Sequence, residues 1–175
     1  LRVPFANVNV GGGIDGLLGL AVRLYVSPGD AVLSSLGGYP TFNYHVHGFG
    51  GRLVTVPYRD DHEDLEALLA AAHREKPKLV YLANPDNPMG TWHAGAKVAE
   101  FARALPPQTM LILDEAYCET APAGTVPVLD VNTPNVLRFR TFSKAYGMAG
   151  ARVGAVFGPD DAINAFNKVR NHFGI

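Results

Sequence analysis

The sequence has little of the chemistry that secreted and membrane-spanning proteins depend on. Cys118 is its single cysteine, which excludes an internal disulfide. No apolar run is long enough to cross a bilayer, and the first residues lack the charged start, apolar stretch and small-residue cleavage site of a signal peptide. We therefore expect a reducing, cytoplasmic setting.

The chain also lacks an excess of charge of either sign. Fifteen basic side chains stand against 16 acidic ones, so no electrostatic argument favours nucleic acid or an anionic membrane surface as a partner. Charged residues make up only 18 % of the chain and apolar residues 47 %, which favours a buried sheet over a helical bundle. At 175 residues the length fits one domain.

Predicted strands alternate with predicted helices along the whole chain. Apolar and β-branched runs predict strands at 7–10, 31–35, 52–56, 78–83, 109–113, 135–142 and 151–157. Helical periodicity predicts helices at 15–25, 40–49, 62–74 and 94–105, and a last helix from Asp160 towards His172. The expected fold is a three-layer α/β sandwich with a mostly parallel, mixed sheet, whose ligand site lies at the carboxyl ends of the strands.

The first predicted strand runs into a glycine-rich loop. Gly11 to Gly16 matches G-x-G-x-x-G, and the backbone N–H groups of Gly13, Ile14 and Asp15 at a helix N-terminus offer an anion site. A dinucleotide fold needs an acid at the end of the next strand, but that strand ends in serines. Two alternatives stay open, a non-covalent nucleotide-binding module and glycines that serve only a tight turn.

Two further loops carry polar groups after apolar strands. In NPDNPMG, Asn84 and Asn87 each precede a proline, which restrains them and permits a cis bond, so that an amide can be held towards a ligand. In DEAY, Asp114 at a buried strand end is costly unless it is paired, and Tyr117 adds a hydroxyl. A plain turn and a turn-capping aspartate remain the alternatives.

The fourth loop is TFSKAYGMAGARVG, which contains Lys144. Two hydroxyls, Thr141 and Ser143, precede this lysine, and Arg152 follows it. Hydroxyls and a guanidinium are what a phosphate dianion needs, and a primary amine beside a bound phosphate is the arrangement for a pyridoxal phosphate Schiff base. By itself the segment also fits a loop with a solvated lysine.

Taken in order, the motifs NPDNPMG, DEAY and TFSKAYGMAGARVG resemble the large domain of the fold-type I pyridoxal-phosphate-dependent aminotransferases of class I/II. The histidinol-phosphate aminotransferase branch is the most similar, and the resemblance runs from about residue 7 to 158. It implies that Lys144 carries the cofactor and moves a proton, and that Asp114 pairs with the ring nitrogen.

The resemblance also implies roles for the other site residues. Tyr117 and Asn87 would bind the phenolic oxygen of the ring, and Phe42 would stack on the ring. The phosphate would be bound by Thr141, Ser143, Arg152 and the glycine loop at Gly13, Ile14 and Asp15.

The glycine loop departs from the family, which reads G-S-D-E where this chain has Gly13-Ile14-Asp15-Gly16, so only backbone amides and Asp15 remain there. Family members also have an N-terminal segment and a C-terminal small domain that this chain does not show. We expect residues 1–175 to be the cofactor-binding large domain of a longer, homodimeric enzyme.

The expected reaction transfers an amino group between histidinol phosphate, or an aromatic or other amino acid, and a 2-oxo acid such as 2-oxoglutarate. A decarboxylase or lyase of the same fold, similar to threonine-phosphate decarboxylase, is the alternative. No metal is expected, because His45 and His47 lack further ligands, and Cys118 is expected to be a small buried hydrophobe. Trp92 is expected at the substrate mouth or in packing, and a domain or subunit face is expected at Phe166, Val169 and Arg170.

Overall fold

A computed structural model describes residues 3–171, in which seven strands and five helices follow one another along the chain. The strands are β1 (Val8–Gly11), β2 (Ala31–Leu36), β3 (Arg52–Pro57), β4 (Leu79–Ala83), β5 (Met110–Asp114), β6 (Val136–Thr141) and β7 (Gly154–Phe157). The helices are α1 (Gly13–Tyr25), α2 (Thr41–Gly48), α3 (Leu65–Glu75), α4 (Gly95–Ala104) and α5 (Asp160–Val169). His172, where the last helix was expected to end, lies outside the described residues.

The strands form one sheet in the order β1-β7-β6-β5-β4-β2-β3. Strands β2 to β6 pair in parallel, whereas β7 runs antiparallel to both of its neighbours, β1 and β6. The predicted mostly parallel, mixed sheet is therefore confirmed. Parallel pairing brings the carboxyl ends of β4, β5 and β6 to the same edge of the sheet.

The sheet separates two apolar cores, one on each face. Helices α1, α2 and α5 cover the first core, and α3 and α4 cover the second. Along β5 the side chains alternate between them, because Leu111 and Leu113 pack in the second core and Ile112 in the first. The same alternation directs Asp114 to the face of α1 and α2, and Glu115 to the opposite face.

Phe166 belongs to the first core. Its side chain is fully buried, so the expectation that it marks a domain or subunit face is wrong. On the same helix Arg170 is exposed and Val169 is half-buried.

Helix α3 begins three residues later than the pattern predicts. Asp64 is its N-cap, and the carboxylate accepts hydrogen bonds from the amides of Glu66 and Ala67, each at 3.1 Å. Before it, Asp60 and Asp61 have φ angles of 51° and 61° and form a tight turn. Apolar periodicity cannot locate such a start, because the turn and the cap are both polar.

Strand β7 also begins later than predicted, at Gly154 instead of position 151. The residues before it form a short 3₁₀ turn, Ala149–Ala151, which ends at Arg152 with a φ of 53°. None of the helices described between residues 3 and 171 has both the length and the hydropathy of a membrane span.

Candidate functional site

A cavity of about 290 Å³ opens where β4, β5 and β6 end and α1 begins. All four loops singled out in the sequence contribute to it. The predicted site residues that line it are Ile14, Asp15, Asn87, Asp114, Tyr117, Thr141, Ser143, Lys144 and Arg152. Tyr39 and Tyr81, which the sequence did not single out, line it as well.

Asp114 forms the buried acidic wall of this cavity and is only 9 % exposed. Its Oδ2 accepts a 2.6 Å hydrogen bond from the Tyr81 hydroxyl, and its Oδ1 accepts a 2.9 Å bond from the Ala116 amide. Burial raises the pKa of this carboxyl, while the two hydrogen bonds and the charge of Lys144 act in the opposite direction. A buried carboxylate of this kind favours a cationic group bound against it.

The amine of Lys144 lies on the open side of the same cavity. Its Nζ lies 5.3 Å from the ring centroid of Tyr117, and the side chain is exposed within this chain. The Asn87 amide donates a long, 3.5 Å hydrogen bond to the Tyr117 hydroxyl. An amide, a phenol and a primary amine therefore converge on one side of the space that Asp114 bounds on the other.

The remaining wall is built to receive an anion. Helix α1 begins at Gly13, so its first backbone amides face the cavity edge that Ile14 and Asp15 line. Thr141, Ser143 and Arg152 line the same cavity, and the Thr141 hydroxyl accepts a 3.0 Å hydrogen bond from the Ser143 amide. Hydroxyls, amides and a guanidinium are the groups that bind phosphate.

Two glycines allow this wall to form. Gly13 has a φ of 83°, and a Cβ at that position would collide with the guanidinium of Arg152. A Cβ at Gly154 would lie 2.7 Å from both the carbonyl carbon of Gly13 and the amide nitrogen of Ile14. The absence of these two Cβ atoms lets the glycine loop, the β7 backbone and Arg152 approach one another.

The structure does not bring Phe42 into the cavity. Its side chain is fully buried, and its ring stacks on Tyr81 with centroids 4.6 Å apart and an interplanar angle of 18°. Phe42 therefore does not line the cavity, and its contact with a bound ring stays a prediction. Helix α2 begins at Thr41, so Phe42 turns into the core while Tyr39 and Thr41 border the cavity.

Asn84 supports the loop and does not line the cavity. Its side-chain amide donates to the carbonyls of His93 and Thr125 at 3.1 and 3.0 Å, and its Oδ1 accepts from the His93 amide at 2.8 Å. These hydrogen bonds occupy the side-chain amide of Asn84, which was expected to face a ligand. Both Asn–Pro peptide bonds of the loop are cis, as the sequence allowed.

Several weaker candidates also have defined surroundings. The His45 ring is 3.0 Å from Asp15 at the edge of the cavity. Trp92 is 41 % exposed and lines a neighbouring cavity of about 400 Å³, which shares Asn87 and Tyr117 with the first. Cys118 is a buried free cysteine, and burial raises the pKa of its thiol to about 12.

Sequence reasoning missed Tyr81 in the cavity wall and the buried acids Glu63 and Asp86. Tyr81 lies inside the apolar strand β4, where its hydroxyl gives no pattern of its own. Glu63 and Asp86 are both buried, although they belong to polar stretches that resemble solvated loops. Period-two alternation with Ala83 could have placed Tyr81 on the face of the cavity.

Comparison with known proteins identifies relatives along nearly the whole chain. Residues 3–175 match the family described as Aminotransferase class I and II. A histidinol-phosphate aminotransferase of Anaeromyxobacter sp. (strain Fw109-5) is 40 % identical over 99 % of this chain and 48 % of its own length. An aromatic amino acid aminotransferase of Corynebacterium diphtheriae is 38 % identical over 100 % of this chain and 52 % of its own length.

Solved structures include a histidinol-phosphate aminotransferase from Sinorhizobium meliloti in complex with pyridoxal-5'-phosphate. It is 62 % identical to this chain with a TM-score of 0.94, and the match covers 97 % of this chain and 47 % of that one. The chain thus spans about half the length of the relatives that it matches.

Proposed function

This chain belongs to the aminotransferase class I and II family, and from that premise we propose that it is the cofactor-binding large domain of a pyridoxal-phosphate-dependent transaminase. One observation carries the proposal. One cavity of about 290 Å³ is bordered by the amine of Lys144, by the buried carboxylate of Asp114 and by the anion-binding wall that contains Arg152.

The residues present fit pyridoxal phosphate. Asp114 is buried and without a cationic side chain within ion-pair distance among residues 3–171, which suits a protonated ring nitrogen. The space left by the missing Cβ of Gly13 lets the Arg152 guanidinium meet the start of α1, which suits a phosphate dianion. The complex of the Sinorhizobium meliloti relative with this cofactor supports the same assignment.

When bound, pyridoxal phosphate supplies an aldehyde that joins an amine and a ring that accepts the electron pair left on a substrate carbon. In our proposal Lys144 holds the cofactor through its amine and later takes a proton from the substrate Cα. Asp114 keeps the ring nitrogen protonated, since a carboxylate in a dry site favours the charged form of a cation beside it.

The other side chains orient the cofactor. Tyr117 and Asn87, whose polar groups already form a hydrogen bond with each other, would bind the ring oxygen. Thr141, Ser143 and Arg152 bind the phosphate together with the amides of Ile14 and Asp15 at the start of α1. Together these side chains and Asp114 would hold the phosphate, the ring oxygen and the ring nitrogen, and so fix one orientation of the cofactor relative to Lys144.

We propose histidinol phosphate as the amino donor and 2-oxoglutarate as the acceptor. The names of the Anaeromyxobacter and Sinorhizobium relatives support this donor, and an aromatic amino acid is the competing donor because the Corynebacterium relative is named for it. The relatives compared here are named as aminotransferases, so neither the decarboxylase nor the nucleotide-binding alternative is favoured.

The donor is tested on the full-length, cofactor-loaded protein without an acceptor. Histidinol phosphate is expected to convert the yellow form to the colourless amine form in one turnover, and 2-oxoglutarate is expected to restore it. If phenylalanine or tyrosine reacts and histidinol phosphate does not, the proposed donor is wrong but the proposed transamination is retained. No response to any amino donor would overturn the activity itself.

We further propose that the full-length protein is a homodimer. Exposed apolar side chains lie in the cavity lining at Tyr39 and in the loop after Lys144 at Tyr146 and Met148, with 50 %, 54 % and 47 % exposed, respectively. Such side chains are typical of a surface that another part of the protein covers. Light scattering of the full-length protein tests this point, and a monomeric mass would contradict it. The single cysteine favours a reducing compartment, and the cytoplasm is the proposed location.

A further inference from the structure

Three buried carboxyl groups lie in the cavity wall or behind it, and each has the same kinds of hydrogen-bond partner. Glu63 is 3 %, Asp86 5 % and Asp114 9 % exposed. Each carboxyl forms one hydrogen bond with a hydroxyl and one with a backbone amide: Ser35 and Ala83 for Glu63, Tyr58 and Met89 for Asp86, and Tyr81 and Ala116 for Asp114.

None of the three is within ion-pair distance of a cationic side chain in the described part of the chain. Their negative charges act on one another, and the low dielectric of a protein interior makes several uncompensated charges there unfavourable. Asp114 differs from Glu63 because the charge of Lys144 reaches it across the cavity. The cluster therefore favours an ionised Asp114 beside a neutral Glu63.

Glu63 also connects the elements that carry the site. Its Oε2 lies 2.5 Å from the Ser35 hydroxyl on β2, and its Oε1 accepts a 2.8 Å bond from the Ala83 amide at the end of β4. Ala83 is the register partner of Asp114 on β5. The Glu63 carbonyl accepts a 2.8 Å bond from the His93 ring, so the loop that contains Asn87 is attached to the same residue.

We infer that Glu63 is a positioning residue for the proposed cofactor site: its protonated carboxyl ties β2 to β4 beside Asp114 and leaves Asp114 as the anion that faces the cofactor. The inference rests on the proposed function for the identity of the ligand. The protonation of Glu63 itself concerns the chain alone.

The electrostatic surroundings agree with a protonated group. The pKa of Glu63 is raised to about 8, with burial as the largest cause and the charges of Asp86 and Asp114 acting in the same direction. The hydrogen bonds with Ser35 and Ala83 act in the opposite direction. The nearby phenols of Tyr58 and Tyr81 have raised pKa values, mainly through burial, and stay neutral. A protonated Glu63 donates from Oε2 to the Ser35 hydroxyl oxygen and accepts from the Ala83 amide at Oε1. A glutamine would keep both hydrogen bonds in the same directions.

The first test uses the full-length protein without cofactor. In the unfolded chain Glu63 loses its proton near the ordinary glutamate pKa of 4.5, whereas in the folded protein it keeps the proton up to about pH 8. Because the unfolded state alone releases this proton between the two values, the wild type becomes less stable as the pH rises through that range. The unfolding midpoint of Glu63→Gln is therefore expected to rise relative to that of the wild type from pH 5 to pH 8. Glu66→Gln, an exposed neighbour, is the matched control and is expected to show no such trend.

A difference between Glu63→Gln and the wild type that stays constant with pH would overturn the inference, because Glu63 would then be ionised throughout. This experiment does not depend on pyridoxal phosphate, so it separates a failure of this inference from a failure of the proposed function.

The second test measures pyridoxal phosphate affinity near pH 7. Glu63→Ala removes both hydrogen bonds and is expected to weaken cofactor binding about tenfold, since one lost buried hydrogen bond accounts for a change of that order. Glu63→Gln is expected to rescue the affinity. If glutamine weakens binding as much as alanine does, a charged carboxylate is required and the inference fails. A wild type that does not bind the cofactor at all would refute the proposed function instead.

Discussion

The phenol of Tyr81 donates a 2.6 Å hydrogen bond to Oδ2 of Asp114, and both groups lie in the wall of the cavity. The ring of Tyr81 is itself held by stacking on the buried Phe42. Phe42 thus holds the ring of Tyr81, whose hydroxyl is a hydrogen-bond donor to Asp114.

Tyr81→Phe is expected to raise the pKa of Asp114, because the hydrogen bond from the phenol lowers it. The acidic limb of the kcat/KM profile should therefore move to higher pH. A hydrogen bond to a charged group contributes about 1.5–3 kcal/mol, so the loss of kcat/KM at neutral pH should be roughly 10- to 100-fold. Steady-state kinetics across pH on the full-length enzyme measure both effects.

Tyr25→Phe is the matched control for this substitution. Tyr25 lies at the end of α1, outside the cavity that contains Asp114, so its loss of a hydroxyl should leave the acidic limb in place. An acidic limb that stays in place in Tyr81→Phe as well would refute the role of this hydrogen bond.

Asn84→Ala and Asn87→Ala are expected to differ although both residues precede a proline. Asn84→Ala removes three hydrogen bonds to His93 and Thr125 and should lower the free energy of unfolding by about 1–3 kcal/mol. Asn87→Ala removes one long bond to Tyr117 and should change stability little while it weakens cofactor binding. Urea unfolding and a cofactor titration of both variants separate the effects. A greater loss of stability in Asn87→Ala would contradict the assignment.

Glu115 is expected to be a large contributor to stability, on the face of the sheet opposite Asp114. It is fully buried and binds Arg138 at 2.7 Å and Arg140 at 2.9 Å. Glu115→Ala leaves the buried Arg138 without its carboxylate and Arg140 with only Glu119, 3.7 Å away, and should cost about 3–5 kcal/mol of unfolding free energy.

Glu75→Ala is its control, because Glu75 pairs with Arg52 and Arg74, whose side chains are more than half exposed. Surface pairs of this kind contribute little, so the control should unfold almost like the wild type. Equal losses of unfolding free energy in the two variants, measured by urea unfolding, would show that Glu115 and its two arginines stabilise the fold no more than a surface ion pair does.

The sequence predicted the order of strands and helices because the apolar periodicities of buried strands and one-sided helices are local. It also predicted Asp114, since an acid that ends the apolar run MLIL must face either a partner or a ligand. Strand alternation then determines the face, which is why Asp114 and Glu115 have opposite surroundings in spite of being neighbours.

The sequence could not distinguish residues that share the same local pattern but contact different residues in the folded structure. Asn84 and Asn87 share the same Asn–Pro context, and only the contact of Asn84 with distant Thr125 distinguishes them. Phe42 and Tyr39 flank the start of α2, whose first residue decides which ring faces the core. Glu63 resembles a solvated loop acid, and its burial depends on a turn formed by residues with positive φ.

The most direct test of the central claim, that the amine at position 144 carries the cofactor, is peptide mass spectrometry after borohydride reduction of the full-length protein with pyridoxal phosphate. A single reduced adduct on Lys144 is expected, and Lys144→Ala is expected to lose both the adduct and the yellow absorbance. An adduct on another lysine, or a yellow Lys144→Ala variant that borohydride still labels, would contradict the claim.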